Sequence, residues 1–498
     1  QPQGESNSLR LDEFDVEKDI PGTIMYIEDD QPNTCGIFAV NVPKTRFNEP
    51  GIQQAMDDEM AAWIKYSVYK EVPDTNQKTV STRWVVTEKG PGKFKARLVV
   101  RGFEEDEETA ADSPTGESSS TRIVYALAAA NGWIVETIDI KAAFLQSRKL
   151  DRVVFVKPPR NLKKVGLIWQ LEKPAYGLAD SSRNWYNSLV SFFKSIGLTK
   201  CSIDQALFYH RDETKLNGLV LLHVDDFLTC GNAKFKKDII RPLLQKYDIS
   251  KHISGNFVYI GMTVSQDSEG ISVDQFDYAS HVKIVQLEKA RRLQKDSELT
   301  PDERTCYLSL LGKLSWLSHI TRPDLKYDVY HFSRKNKSAV VQDLMDLNGV
   351  VSKLNEKKRI RFPKMDLQGG VKLVVHTDAS FGNLDNKVNS CRGYVVFLSS
   401  GDKASILAWA SNKIKRVVSS TLESETLALI DGLNHAHALR DILSNLLYGG
   451  IVQSALSIVA FVDSKQLHDA IHSSRSVSDH RLRRDIANVK ERLELGEV

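Results

Sequence analysis

LVLLHVDDFLTCG, residues 219–231, sets two short apolar runs around an adjacent pair of carboxylates, Asp225 and Asp226. An Asp-Asp pair between strands is by itself a common turn. Here both flanking runs are hydrophobic, so the pair interrupts what could have been an unbroken sheet. Two adjacent carboxylates repel each other, which makes the pairing costly unless a cation binds. A third carboxylate, Asp139, stands near the end of another strand-like run, VETIDI (135–140). Three such groups suit Mg2+, which takes hard oxygen ligands and borrows phosphate oxygens from its substrate. Side chains alternate along a strand; alternation assigns Asp225 to the face of Asp139 and leaves Asp226 contributing less directly.

Working outward, the pattern predicts a helix from Gly51 to Val72, with Met56, Met60, Trp63 and Val68 on or near one stripe. Strands Thr79–Thr87 and Phe94–Gly102 follow as a hairpin about Lys89-Gly90-Pro91-Gly92. A helix over Thr121–Ala130, a strand over Trp133–Ile140 and a helix over Ser181–Ile196 come next. Residues 300–360 are mostly helical, with Leu308, Leu311, Leu314 and Leu317 on one side. Strand–helix alternation resumes at Val371 and predicts a separate α/β domain.

That last part holds a second carboxylate set: Asp378 in HTDASFG (376–382), Glu425 in SSTLESETLAL (419–429), Asp463 in FVDSKQ (461–466) and Asp485 in RLRRDIA (481–487). Ser420 and Glu423 have capping-box spacing, which gives Glu423 a structural task and leaves Glu425 as the better metal ligand. Strand-end carboxylates with one helical glutamate are what a two-metal phosphodiesterase requires. Asp485 depends on a helix that is also simply basic and amphipathic, and His480 beside it is a surface histidine or an aid to product release.

Composition excludes little. At 498 residues the chain is too long for one core, and 41% hydrophobic with 26% charged residues is ordinary for globular proteins. A net charge of +3 announces no nucleic-acid binder; basic residues nevertheless cluster in 93–101, 353–361 and 481–492, and acidic ones in 104–108. Cys35, Cys201, Cys230, Cys306 and Cys391 are scattered and never in CxxC spacing, which argues for a reducing, intracellular setting. No apolar run approaches a membrane span. The N-terminus lacks a signal pattern and reads as cut from a longer precursor.

The ordered set KARLVVRGF (95–103), ETIDIKAAFLQ (136–146), VFVKPP (154–159), AYGLADSSRNWY (175–186), HVDDFLTCG (223–231), FVYIGM (257–262) and LLGKLSWLSHITRPDL (310–325) closely resembles the polymerase of copia-type long-terminal-repeat retrotransposons. The later motifs resemble ribonuclease H. The resemblance implies an α+β multidomain chain: a right-hand polymerase of fingers, palm and thumb, followed by an α/β ribonuclease H-like domain. Boundaries follow as an extension or linker (1–50), fingers and palm (51–262), thumb and helical tether (263–368) and ribonuclease H domain (369–498). Lys353, Lys357 and Lys358 would follow a hybrid's phosphates along the tether.

Asp139, Asp225 and Asp226 match the catalytic and metal-binding triad of the palm. Asp378, Glu425, Asp463 and Asp485 match the ligands of the nuclease, with two Mg2+ per site and Mn2+ as a substitute. Phe144 stands where this class has its steric gate against a ribose 2′-hydroxyl. Lys95, Arg97 and Arg101 match the cations that hold the triphosphate, Tyr176 and Gly177 the element under the nascent base pair, and Tyr259, Gly261 and Met262 the primer grip. The sequence departs from the pattern at His223, where an aromatic is usual, and at Ala179-Asp180, where Lys-Gln is usual.

Implied partners are an RNA template, a DNA primer, the RNA–DNA hybrid and dNTPs, with a Gag particle and integrase in the element's life cycle, no membrane, and monomer or homodimer left open. The implied location is a cytoplasmic virus-like particle, with the nucleus as alternative. Rival readings are a group II intron or telomerase-like enzyme, a co-opted nucleic-acid-binding or particle-assembly protein, and a stand-alone nuclease on an inert scaffold.

Overall fold

Proline at the first helical position costs no hydrogen bond, and α1 (Pro50–Lys65) begins that way, burying Ile52, Met56, Met60 and Trp63. The computed structural model describes residues 40–105, 111–367, 369–382, 389–452, 456–473 and 477–498. Most of the expected N-terminal extension, Cys35 and residues 106–108 of the acidic run lie outside them. Helix α1 stops short of Val72: Ser67 has φ +53°, and Tyr69–Pro73 is a strand paired with Leu167–Leu171. Strands β1 (Thr82–Gly90) and β2 (Lys93–Val100) form the expected hairpin, turning at Gly92 with φ +73°. On β2, Ala96, Leu98 and Val100 point inward, while Lys95, Arg97 and Val99 alternate outward.

Helix α2 (Ser118–Asn131) buries every residue from Ser120 to Ala129 and ends at Gly132 in the left-handed region. A helix buried all round belongs between two layers. One layer is an antiparallel sheet containing β3 (Val135–Ile140), and against it packs α3 (Ser181–Ser195) through Trp185, Leu189 and Phe193. Its further strands are β4 (Leu207–Arg211), β5 (Leu216–His223), β6 (Asp226–Gly231) and β7 (Ile249–Ser254), in the order β7-β3-β6-β5-β4 with Thr199–Lys200 at the edge.

Strands β8 (Phe257–Tyr259), β9 (Met262–Asp267) and β10 (Gly270–Asp274) begin a second sheet. Helices α4 (Pro301–Ile320), α5 (Lys326–Ser333) and α6 (Val341–Ser352) follow and share a core through Tyr307, Leu314, Phe332 and Leu347. Strand β11 (Ile360–Pro363) then returns to pair with β10. The expected boundary at 262/263 is therefore corrected: it cuts the β8–β9 hairpin, whose pairing runs Phe257↔Val264. The helical stretch is bracketed by this sheet rather than being a plain tether.

The last part contains β12 (Lys372–Ser380), β13 (Cys391–Ser400), β14 (Lys403–Lys413), α7 (Thr421–Tyr448), β15 (Ser457–Val462), α8 (Lys465–His472) and α9 (His480–Glu494). The sheet order is β14-β13-β12-β15, with β12 and β15 parallel. Helix α7 lies so close to β12 that a Cβ at Gly432 would stand 2.6 Å from Thr377 Cγ2. This α/β unit is not separate in its core. One buried cluster runs from Tyr125 and Ile138 through Val273 and Phe362 into Val396, Trp409 and Leu433. Among the described residues Cys201, Cys230 and Cys391 are buried, Cys306 is exposed, and all four are free thiols.

Candidate active sites

Pairing between β5 and β6 brings His223 opposite Asp226 and leaves Val224-Asp225 as a two-residue turn. Val224 has φ +59°, a conformation that a β-branched residue adopts only under strain. Its carbonyl accepts a 2.8 Å bond from Trp185 Nε1. Pairing of β6 with β3 sets Asp226 directly opposite Asp139. The Ile140 N–H donates to the Asp225 carbonyl at 3.1 Å. Asp139 and Asp226 are thus a non-hydrogen-bonded pair, the type in which facing side chains come closest. Like charges so placed are destabilising by themselves.

This corrects the alternation argument: Asp226 is the direct cross-strand neighbour of Asp139. Asp225 lies in the turn, where strand alternation does not apply. The two neighbours act on different surroundings. Burial pushes the Tyr176 hydroxyl well above its ordinary value, and the Glu59 and Asp225 carboxylates add to that. Burial also raises Tyr259, with Tyr125 and then Asp226 contributing.

Around Asp225 stand several of the expected substrate residues. The Phe144 and Tyr176 rings are 5.3 Å apart between centroids. The Arg97 guanidinium lies 5.3 Å from the Tyr176 centroid, and Lys95 shares its outward face. Arg101 differs: it is drawn to Glu104 at 3.7 Å. Gly177, at φ +90°, meets the end of β2, where a Cβ would overlap the Val100 carbonyl oxygen. Val100 N–H donates to Tyr176 O at 2.7 Å. Asp180, one of the departures from the pattern, is buried and held by Arg152 at 3.0 Å, which also pairs with Glu105.

At the β8–β9 hairpin, Tyr259 and Met262 are a register pair, and both central residues of the turn have positive φ (Ile260 +45°, Gly261 +68°). Tyr259 and Met262 are buried, 1% and 6% exposed. Strand alternation turns both side chains into the core with Phe257 and Val264, which leaves the backbone of the hairpin for the expected primer grip. The half-buried tip Ile260-Gly261 is the part that can meet a strand. Of the tether lysines, Lys353 pairs with Asp328 at 2.6 Å and Lys358 with Asp324 at 3.3 Å.

The second set converges tightly. Carboxylate oxygens of Asp378 on β12, Glu425 on α7 and Asp463 just past β15 all lie within 4.8 Å of one another. Among the described residues this is the one such group of three, and the Asp139–Asp225–Asp226 set does not reach that convergence. Parallel pairing of β12 with β15 brings Asp378 and Asp463 to neighbouring strand ends. Burial, then Asp378 and Asp463, raise the Glu425 carboxyl to about 7. Its Oε2 is buried without a hydrogen-bond partner. An orphaned carboxylate oxygen facing two more carboxylates fits a hard divalent cation.

Asp485 is not among these three. It pairs with Arg416, whose guanidinium also reaches Glu423 at 3.0 Å. The expected fourth ligand is held here in an Arg416 bridge, beside a cavity of about 410 Å³ lined by Arg416, Arg481, Arg484 and Asp485. Glu423 takes bonds from the Ser419 N–H and hydroxyl at 2.7 and 3.0 Å, and Ser420 Oγ accepts from the Glu423 N–H at 3.2 Å. Glu423 thus has a structural task at the helix start, but through Ser419 rather than through the Ser420 N–H that a capping box would use. Sequence reasoning missed Arg416 and Trp185. Trp185 is legible only as a buried aromatic, although its indole N–H had to find an acceptor.

Residues 66–300 match the family model described as reverse transcriptase (RNA-dependent DNA polymerase). The chain is 27% identical over 404 residues to the retrovirus-related Pol polyprotein from transposon RE2 of Arabidopsis thaliana, covering 75% of this chain and 27% of that protein. It is 28% identical over 424 residues to the corresponding polyprotein from transposon TNT 1-94 of Nicotiana tabacum, covering 76% and 30%. The chain therefore spans less than a third of the length of these curated relatives. In fold it is similar to a foamy viral protease-reverse transcriptase solved in complex with ds DNA, with a TM-score of 0.53, 14% identity, and coverage of 89% of this chain and 68% of that one. Residues 66–300 thus resemble the reverse transcriptase family, and the chain around them is similar to copia-type Pol polyproteins.

Proposed function

We propose that this chain copies RNA and DNA templates into DNA and cleaves the RNA strand of RNA–DNA hybrids, each activity using two Mg2+. The observation that carries the reading is the presence, in one chain, of two carboxylate sets at the strand ends of two different sheets. Bound Mg2+ would supply activation of the attacking oxygen and neutralisation of the leaving group at both sites.

Around the first set, Asp139, Asp225 and Asp226 would hold the metals. Lys95 and Arg97 would hold the triphosphate through directed charge-assisted bonds, while Arg101, engaged by Glu104, contributes less. The Phe144 ring, braced by Tyr176, would exclude a ribose 2′-hydroxyl. The Ile260-Gly261 turn would present backbone to the primer strand. In the second set Asp378, Glu425 and Asp463 would hold the metals over the scissile phosphate. Substrates would be dNTPs on a primed template; hybrid binding would be salt-dependent and would read shape rather than sequence. That the similar foamy viral enzyme was solved with ds DNA supports a nucleic-acid partner. Gag and integrase partners and a particle location remain part of the proposal through the Pol polyprotein relatives.

The test is primer extension with Mg2+ on a 5′-labelled RNA template. The unsubstituted chain should extend the primer and cut the template. Asp225→Asn/Asp226→Asn should lose extension by at least about 100-fold while cutting persists, and Asp378→Asn should do the reverse. Equal loss of extension in Asp378→Asn would refute the two-site partition. Cleavage without extension by the unsubstituted chain would leave only the nuclease.

A further inference from the structure

The last carbonyls of any α-helix have no partner within the helix and must find donors elsewhere. At the C-terminal end of α4 these donors come from two other segments. Arg122 of α2 donates through Nη2 to His319 O at 2.5 Å and Ile320 O at 3.4 Å. Trp409 of β14 donates through Nε1 to Ser318 O at 2.8 Å. The two donors also hold each other. The Arg122 guanidinium carbon lies 3.7 Å from the Trp409 ring centroid, and Nη1 donates to Leu407 O at 3.2 Å. Ser118 Oγ and His319 Nε2 close the group at 3.0 Å.

Arg122 is 7% exposed, and its guanidinium donates to the backbone carbonyls of Leu407, His319 and Ile320 rather than to a carboxylate. A buried cation so placed is costly, and burial lowers its guanidinium to about 9. What compensates it is the negative end of the α4 dipole together with the face of an indole. Removing any one of the three segments leaves the other two with unmet polar groups. The knot therefore behaves as a joint rather than a contact.

A single joint would still allow rotation about itself. A second attachment stands elsewhere: Arg211 of β4 bonds Leu447 O, and the Ser202 N–H donates to Asn445 Oδ1 at 3.2 Å. Asn445 and Leu447 lie in the last turn of α7, the helix whose first turns carry Glu425. The helix bearing one active-site carboxylate is thus tied at its far end to the sheet bearing the other set.

We propose that Arg122 and Trp409 are positioning residues that fix the nuclease carboxylates at one distance from the polymerase carboxylates, so that RNA is cut in a narrow window behind the primer terminus. The proposal rests on the two-activity reading above. Neither residue touches the reacting groups; both act through the end of α4.

Two readouts test it on the full chain, comparing Arg122→Met with the milder Trp409→Phe, which keeps an aromatic face but loses the donor and part of the ring area. Spin labels at exposed Lys237 and Asp469, in a Cys35→Ser/Cys306→Ser background, should give a narrow distance distribution in the parent and a wider one in both variants. Cleavage positions mapped during a single binding event should spread in the variants while the extension rate stays unchanged. An unaltered distance distribution in both variants would overturn the joint. A widened distribution with the cleavage window unchanged would overturn the positioning role. If the unsubstituted chain neither extends nor cleaves, the proposed function falls, and the distance measurement alone still decides whether Arg122 and Trp409 fix the two parts.

Discussion

Val224 and Glu425 show what single residues contribute. Val224 stores backbone strain of about 1–3 kcal/mol, held in place by the Trp185 bond to its carbonyl. Glu425 stores electrostatic strain, because burial and then Asp378 and Asp463 raise it from 4.5 to about 7. The sign follows from proton linkage: between these two values the folded chain binds more proton than the unfolded one, so stability falls as pH rises through that window. Melting in chelator is expected to show such a decline from pH 4.5 to about 7, and Glu425→Gln should flatten it. Mg2+ should raise the melting temperature more at pH 8 than at pH 5. An identical slope in Glu425→Gln would show that the strain lies elsewhere. The identity of Glu425 is legible in the sequence because Ser420 and Glu423 account for the helix start. That Asp485 is engaged by Arg416 is not, since the two are far apart in the chain.

Elements place these residues through close backbone approaches. Gly177 sits against β2 with φ +90°, and a side chain would stand 2.5 Å from Val99 Cγ1 and overlap the Val100 carbonyl. Gly177→Ala should destabilise the chain by more than about 1 kcal/mol and shift Lys95 and Arg97 with β2. Denaturant unfolding together with the KM for dNTP checks this; unchanged values for both would show that β2 is free of the 176–178 segment. Most elements are legible from periodicity alone, including the strands around Asp225-Asp226 and helices α3 and α4. The end of α1 is not, because Ser67 turns the chain at positive φ without a glycine to signal it. The inward orientation of Tyr259 and Met262 is hidden for a related reason. A motif marks the hairpin, but only its pairing shows which side chains face the core.

At the scale of the whole molecule, the continuous core is the main result. Helix α2 is buried on all sides because sheet packing covers one side and β14 the other. Deleting 369–498 would uncover Arg122, take β14 away from the strand that carries Phe362, and leave the end of α4 without Trp409. The truncated chain is expected to melt at a lower temperature, because buried apolar contacts of the shared core are lost. Unchanged melting of the truncated chain would mean that the shared core adds nothing to stability. In the sequence alone stand the fold class, the order of elements and the candidate carboxylates Asp139, Asp225, Asp226, Asp378, Glu425 and Asp463. The aspartates stand out where short apolar runs are broken by charge, and Glu425 where Ser420 and Glu423 account for a helix start. Tertiary structure alone decided that Asp226 faces Asp139, that Arg416 takes Asp485, and that Arg122 and Trp409 meet at the end of α4. Register and long-range contact depend on burial summed over the whole chain, which no local window contains.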